Sequence, residues 1–147
     1  MAVRGGQNLT RYLIEFERNV GRGAKMRVGF LETAPPYPYG ITKAFVASVN
    51  EFGAPSRNIP PRPFFRTTIG EKSHQWASKM GSLLRELKYD ARAVYSAIGP
   101  AMVNDIKESI VKGDWTPNAP STIKRKGFNA PLIDTTGLIN AVDYEIE

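Results

Sequence analysis

The 147-residue chain contains no cysteine and a single histidine, His74. The first absence excludes a disulfide framework and every thiolate metal or redox site. The second removes histidine-rich zinc centres and leaves a histidine-based triad only one candidate. No apolar run approaches the roughly eighteen residues of a membrane span, and the N-terminus lacks the apolar core of a signal peptide. The expectation is a protein without a membrane segment, made in the cytoplasm and used there or carried out by a larger particle. A single-signed charge excess is also small: 20 Lys and Arg stand against 14 Asp and Glu, a net charge of +6. Nor is that charge gathered into the basic stripe usual for a nucleic-acid-binding domain. It is polarised along the chain instead. Residues 1–27 carry Arg4, Arg11, Arg18, Arg22, Lys25 and Arg27 against Glu15 and Glu17, whereas residues 134–147 carry Asp134, Asp143, Glu145 and Glu147 and no base.

What is present reads as one domain, since a chain of this length can bury a core without staples. Leu9, Tyr12, Leu13, Phe16 and Val20 fall at helical spacing after Asn8, a good N-cap, so an amphipathic helix is predicted over 8–20, ended by Gly21-Arg-Gly23. Residues 25–32 alternate, with Met26, Val28 and Phe30 on one face and Lys25 and Arg27 on the other, the pattern of a half-buried strand. Pro35-Pro-Tyr-Pro-Tyr-Gly40 is a loop, because three prolines remove donors and fix φ. Thr42 caps a short helix with a stripe of Phe45, Val46, Val49 and Phe52, closed by Gly53, and residues 54–63 form a second proline-rich loop. The spacing Thr68-Ile-Gly-Glu71 predicts a capping box that starts a longer helix with a Trp76, Met80, Leu83, Leu84 and Leu87 seam.

Asp90 caps the next helix, whose Val94, Ile98, Met102, Ile106 and Ile110 recur every four residues until Gly113, with Gly99-Pro100 expected to kink or restart it. An arm follows: a loop from Asp114 to Pro120, a turn of helix near Ser121–Lys126 closed by Gly127, a further loop, and a short helix around Thr136–Val142. The terminal segment Asp143-Tyr-Glu-Ile-Glu147 alternates again, and its acidic face matches the Lys25/Arg27 face of the first strand, so the two strands should share one sheet. The fold class is α+β, a small mainly antiparallel sheet packed on two or three longer helices, with extended proline-rich loops and a C-terminal arm. Residues 1–24 form the N-terminal helix and link, 25–112 the core, and 114–147 the arm and terminal strand.

Four patterns resemble chemistry and are better explained without it. Ser121-Thr-Ile-Lys124 has the spacing of the serine–lysine acyl enzymes but lacks their companion elements, and reads as a Ser-capped turn. Asp134-Thr-Thr-Gly137 carries one threonine too many for the aspartic-protease motif, which also needs a second facing carboxylate, and reads as a helix cap. Gly21-Arg-Gly23 before Lys25 has neither the spacing nor the preceding strand of a phosphate loop. Glu71 and His74 share a helical face, but two ligands make no metal site. Lys124-Arg-Lys126 with Arg57, Arg62 and Arg66, interleaved with Phe64, Phe65 and Phe128, has the residue types of a single-strand nucleic-acid binder. The plainer reading anchors Phe64 and Phe65 in the core and leaves the bases solvated.

Three elements carry a family resemblance: Asn50-Glu-Phe-Gly53; Ile59-Pro-Pro-Arg-Pro-Phe-Phe-Arg66; and Ser121-Thr-Ile-Lys-Arg-Lys-Gly127 with Pro131-Leu-Ile-Asp-Thr-Thr-Gly-Leu138. In this order, with long helices between the second and third, the set resembles the neck and tail-completion proteins of tailed bacteriophages over about residues 45–147. The extra threonine and Pro100 depart from the pattern. The resemblance implies a virion structural protein without catalytic activity or cofactor, assembled in the host cytoplasm as a homo-oligomeric ring. Its implied place is the head–tail junction, with connector, neck and tail proteins as partners and no membrane.

Stiff proline-rich loops carrying aromatics suit such docking. The expected interface residues are Tyr37, Tyr39, Arg62, Phe64, Phe65, Trp115, Lys124, Arg125 and Lys126, with Arg62 and Lys124–Lys126 tuning contacts to acidic neighbours. The rival reading is a small DNA-binding protein of a phage or prophage, which includes non-specific contact with packaged DNA. A hydrolase using Ser121 or Asp134 is a third.

Overall fold

The computed structural model describes residues 6–133 and 136–147, so the cap expected at Asp134 lies outside the described residues. The elements run α1 (Gly6–Val20), β1 (Met26–Phe30), α2 (Lys43–Phe52), α3 (Phe64–Glu86), α4 (Ala91–Lys112), α5 (Pro120–Lys126), α6 (Gly137–Asn140) and β2 (Val142–Ile146). α3 and α4 form the long antiparallel pair, and the two strands lie across α4. This is the α+β arrangement expected from the sequence.

β1 and β2 pair antiparallel in the register Met26↔Ile146, Val28↔Tyr144 and Phe30↔Val142, which puts the apolar alternation of both strands on one face. The other face holds Arg27 opposite Glu145. Arg27 Nη1 lies 3.2 Å from Glu145 and 2.9 Å from Glu147, and Lys25 lies 3.9 Å from Glu147. The oppositely charged faces matched from the alternating segments therefore do meet in one sheet.

Behind the sheet, Phe64, Ile106, Ile110, Leu138 and Val142 are fully or almost fully buried and form one cluster with Ala47, Val103 and Leu132. Val94 and Ile98 are buried further along α4. Gly99 permits the closest approach of strand to helix: a Cβ there would meet the Tyr144 ring at 2.5 Å. α4 runs unbroken from Ala91 to Lys112 with Pro100 inside it, so the expected restart does not occur. The proline forfeits one helical hydrogen bond to Ser96, and the burial of both flanking turns against the sheet and α3 outweighs that loss.

Two further expectations are corrected. α3 begins at Phe64, four residues before the predicted capping box, and Thr68 is buried inside the helix with its hydroxyl donating to the Phe64 carbonyl at 2.7 Å. On α2, capped by Thr42 as expected, Phe45 and Phe52 are exposed while Ala47 and Glu51 are buried. At about 100° per residue the two phenylalanines lie on the opposite side of the helix from Ala47 and Glu51, and the latter side is the one that faces the core.

The α3 seam is also shallower than its sequence suggests. Trp76, Met80, Leu83 and Leu87 are only half-buried, whereas the facing α4 positions Val94, Ile98 and Ile106 are closed off. Trp76 nevertheless donates its indole N–H to Asp105 of α4 at 2.8 Å. We predict that Ile98→Ala costs about 2–5 kcal/mol in urea unfolding. Leu83→Ala should cost only about 1–2 kcal/mol, in proportion to the smaller area withdrawn from water. Equal losses at the two sites would show that the seam is as deeply packed as α4.

Candidate functional site

The segments that carry the family resemblance meet in space at the C-terminal end of α2. Gly53, at φ 75°, turns the chain there, and a Cβ on it would lie 2.8 Å from the Ile59 carbonyl and the Pro61 nitrogen. Only glycine fits both demands. The loop then closes on itself through the Ala54↔Ile59 bridge and returns to α2, where the Arg62 N–H donates to the Asn50 carbonyl at 2.7 Å.

Glu51 and Arg62 are the two charged side chains sealed inside this joint, each 5 % exposed. The Glu51 carboxylate accepts from the N–H groups of Phe65 at 2.9 Å and Arg66 at 3.1 Å, and from Arg66 Nε at 2.8 Å. It thus replaces the missing side-chain cap of α3 and sets a negative charge against the positive end of that helix. Arg62 works in the opposite direction along the chain. Its Nε donates to the Thr116 carbonyl at 2.8 Å, Nη1 to Asn50 Oδ1 at 3.1 Å, and Nη2 to the Pro117 carbonyl at 3.2 Å. These bonds clamp the start of the arm onto α2. All these acceptors are neutral, and burial lowers the guanidinium's pKa from its ordinary value.

Trp115 completes the clamp: its ring packs against the core cluster and its indole N–H donates to the Ser109 carbonyl at 3.0 Å. Phe64 stacks edge-on against Phe30 and Phe65, with centroids 6.0 and 6.4 Å apart. Arg62 and Phe64, expected on an intersubunit surface, are therefore interior residues of the subunit. For Phe64 the plainer reading, a core anchor, is the one observed; the burial of Arg62 was not legible, because a proline-rich loop rarely runs beneath the surface. Phe65 and Trp115 are half-buried, as is Tyr37, whose ring carries Lys43 Nζ 3.2 Å from its centroid. Lys126 donates to the carbonyls of Ala130 and Ile133 and so pins the arm's own loop. Tyr39, at φ 66° in a 3-10 turn, and the α5 side chains Lys124 and Arg125 do face solvent. Ser121 lies inside α5, which is entered through Ala119 and Pro120, so it is not the cap expected of it.

Other surface groups emerge only from the fold. Leu9, Tyr12, Leu13, Ile14 and Val20 of α1 are all exposed, and no residue of that helix is buried. α1 is tied to the turn between α3 and α4 by Lys88–Glu15 at 2.9 Å, Asn19 Nδ2 to the Lys88 carbonyl at 2.9 Å, and an edge-on Phe16–Tyr89 contact. Phe45, Phe52 and Phe128 add further exposed apolar area. The periodicity of α1 was legible, but nothing local in the sequence tells whether an amphipathic face meets its own core or another chain. Among the described residues, no three His, Asp or Glu side chains gather closely enough to hold a metal ion. No helix among the described residues is long and apolar enough to cross a membrane.

Compared with protein-family models, with curated proteins and with solved structures, the chain matches none.

We predict that Arg62→Lys, which keeps the charge but loses the planar fork, leaves the α-helical content intact while releasing the arm. Limited proteolysis should then cut within residues 114–131 at least several-fold faster than in the parent protein. An unchanged digestion pattern would show that the arm is held without the clamp.

Proposed function

We propose that the chain is a structural component of a tailed-bacteriophage virion, a neck or tail-completion subunit at the head–tail junction, which acts by oligomeric assembly and carries no catalytic activity. The sequence elements that resemble that family support the reading. So does their physical role here, for Asn50, Glu51, Gly53, Arg62 and Arg66 join α2, α3 and the arm rather than converge on a substrate.

The observation that carries the proposal is α1. A helix of 15 residues with no buried side chain and a row of exposed Leu, Ile and Tyr is marginal alone in water, because isolated helices of that length barely repay nucleation. Such a face is stabilised by a neighbouring molecule, as in a ring subunit. Tyr39 and Phe45, outside α1, are exposed as well, and a head-to-tail ring requires a second apolar surface on each subunit.

A DNA-binding reading rests on one observation, the outward Lys124 and Arg125 on α5 beside the exposed Phe128. Salt separates the two, since phosphate contacts weaken steeply with ionic strength and apolar contacts do not. Negative-stain electron microscopy and light scattering of the purified protein should show rings that persist at high salt. Leu13→Ser and Tyr39→Ser should leave unfolding free energy within about 0.5 kcal/mol of the parent, as exposed sites do, yet abolish those rings. Monomers at every concentration, or salt-sensitive DNA binding lost in Lys124→Gln/Arg125→Gln, would refute the assembly reading. Phe64→Ala belongs to a different class: it should cost about 3–5 kcal/mol by emptying a fully buried site.

A further inference from the structure

A large concavity lies not on the exposed apolar faces but between α2, the loop through Arg57 and Arg62, and α5. It encloses about 680 Å³, within the range of small-ligand and peptide sites. Its apolar lining comes from Val46, Val49, Ile59, Leu132 and Leu138, and its polar lining includes Arg57, Arg62, Arg125 and Asn118. No Asp or Glu lines it among the described residues. None of the three arginines forms an ion pair with a described residue. Buried cations are ordinarily compensated by an anion, yet among the described residues the acceptors of Arg62 are all neutral oxygens.

The amide next to Arg62 is strained in the same way. Asn118 presents its Oδ1 to Arg62 Nη2 at 3.5 Å, which leaves its Nδ2 as a buried donor without an acceptor. Orphaned buried donors are rare in folded proteins and call for an explanation. The groove therefore combines cationic charge with an apolar lining. Its walls are held in place by the Arg62 bonds, so little ordering is needed on binding.

We propose that this groove docks a short acidic peptide segment of another protein, with its carboxylates met by the exposed Arg57 and Arg125 and drawn by the uncompensated charge of Arg62 beneath them, and with alternate apolar side chains seated against the aliphatic lining. A nucleic-acid backbone is the poorer match. Its phosphates favour an open basic surface, whereas here the arginines share a concavity with aliphatic lining residues. The proposal stands on the groove alone and holds whether or not the chain forms rings, because it concerns the isolated subunit.

The test is fluorescence anisotropy with a labelled peptide of alternating leucine and glutamate. The same peptide with glutamine or lysine for glutamate, inorganic phosphate and a short duplex DNA serve as competitors. The glutamate peptide should bind at least tenfold more tightly than the glutamine peptide, and the lysine peptide should not compete. Arg57→Gln and Arg125→Gln change exposed side chains and should each weaken binding about three- to tenfold without moving the thermal midpoint. Asn118→Asp places a carboxylate beside Arg62 and should abolish peptide binding while keeping or raising thermal stability. Failure of the glutamate peptide to bind, equal binding of its glutamine counterpart, or tighter binding of DNA or phosphate would each overturn the proposal. So would unaltered affinity in a folded Asn118→Asp protein.

Discussion

The Glu51 carboxylate fixes the geometry on which the rest of the subunit depends. Seated on the first N–H groups of α3 and held by Arg66, it determines where that helix begins and how α2 is rotated about its own axis. The rotation decides which residues become core. Ala47 turns inward beside Phe64, and Phe45 and Phe52 are turned outward. An apolar side chain at position 51 would leave two part-buried backbone donors without a partner, and an unmade buried hydrogen bond costs more than a made one contributes. Phe64, set in place as the first residue of α3, then carries the edge-on contact with Phe30 that joins the helices to the sheet. Ser109 of α4 donates to the Phe64 carbonyl at 3.1 Å, and its own carbonyl receives the Trp115 indole, so the same residue also links the arm to the core.

Arg62 supplies the complementary constraint. The Arg62 side chain turns inward from the loop between α2 and α3, and its guanidinium answers the carbonyls of residues 116 and 117. Glu51 and Arg62 are close in sequence and both buried, yet they do not pair with each other. One is answered by helix N–H groups and Arg66, the other by carbonyl and amide oxygens. The joint is thus held by two separate charge-assisted networks, and each links a different element to α2.

How much of this was legible in the sequence follows from the range of the interactions. The pairing of β1 with β2 could be read because two short alternating segments carry opposite charges on the face away from the core; the residue-by-residue register, Arg27 opposite Glu145, comes from the fold. The Asp90 and Thr42 caps were legible because each acts three residues away. The start of α3 was not, since its cap comes from Glu51 on another helix, and a local Thr–Glu spacing supplied a false alternative. The outward Phe45 and Phe52 were misread for the same reason: the stripe was visible, but its orientation is set by a contact fourteen residues further on. At the candidate surface, Tyr39, Lys124 and Arg125 face solvent as expected, whereas Phe64 and Arg62 are interior. Composition does not distinguish an aromatic that anchors a loop inward from one that presents it outward.

The pairing of β1 with β2 has a kinetic consequence. Met26 is aligned with Ile146, so the sheet closes almost the whole described chain into one loop. Contacts of such long sequence separation form late, since the entropy of closure must be met before any strand bond repays it. During synthesis β1 emerges early and has no partner until residues 142–146 have left the ribosome. Through that interval the apolar side chains Met26, Val28 and Phe30 and one side of α4 stand uncovered. The α3–α4 hairpin can form from local contacts alone in the meantime. A nascent subunit of this design passes through a stage with an open strand edge, and its yield in the cell depends on how quickly the final strand arrives to cover it.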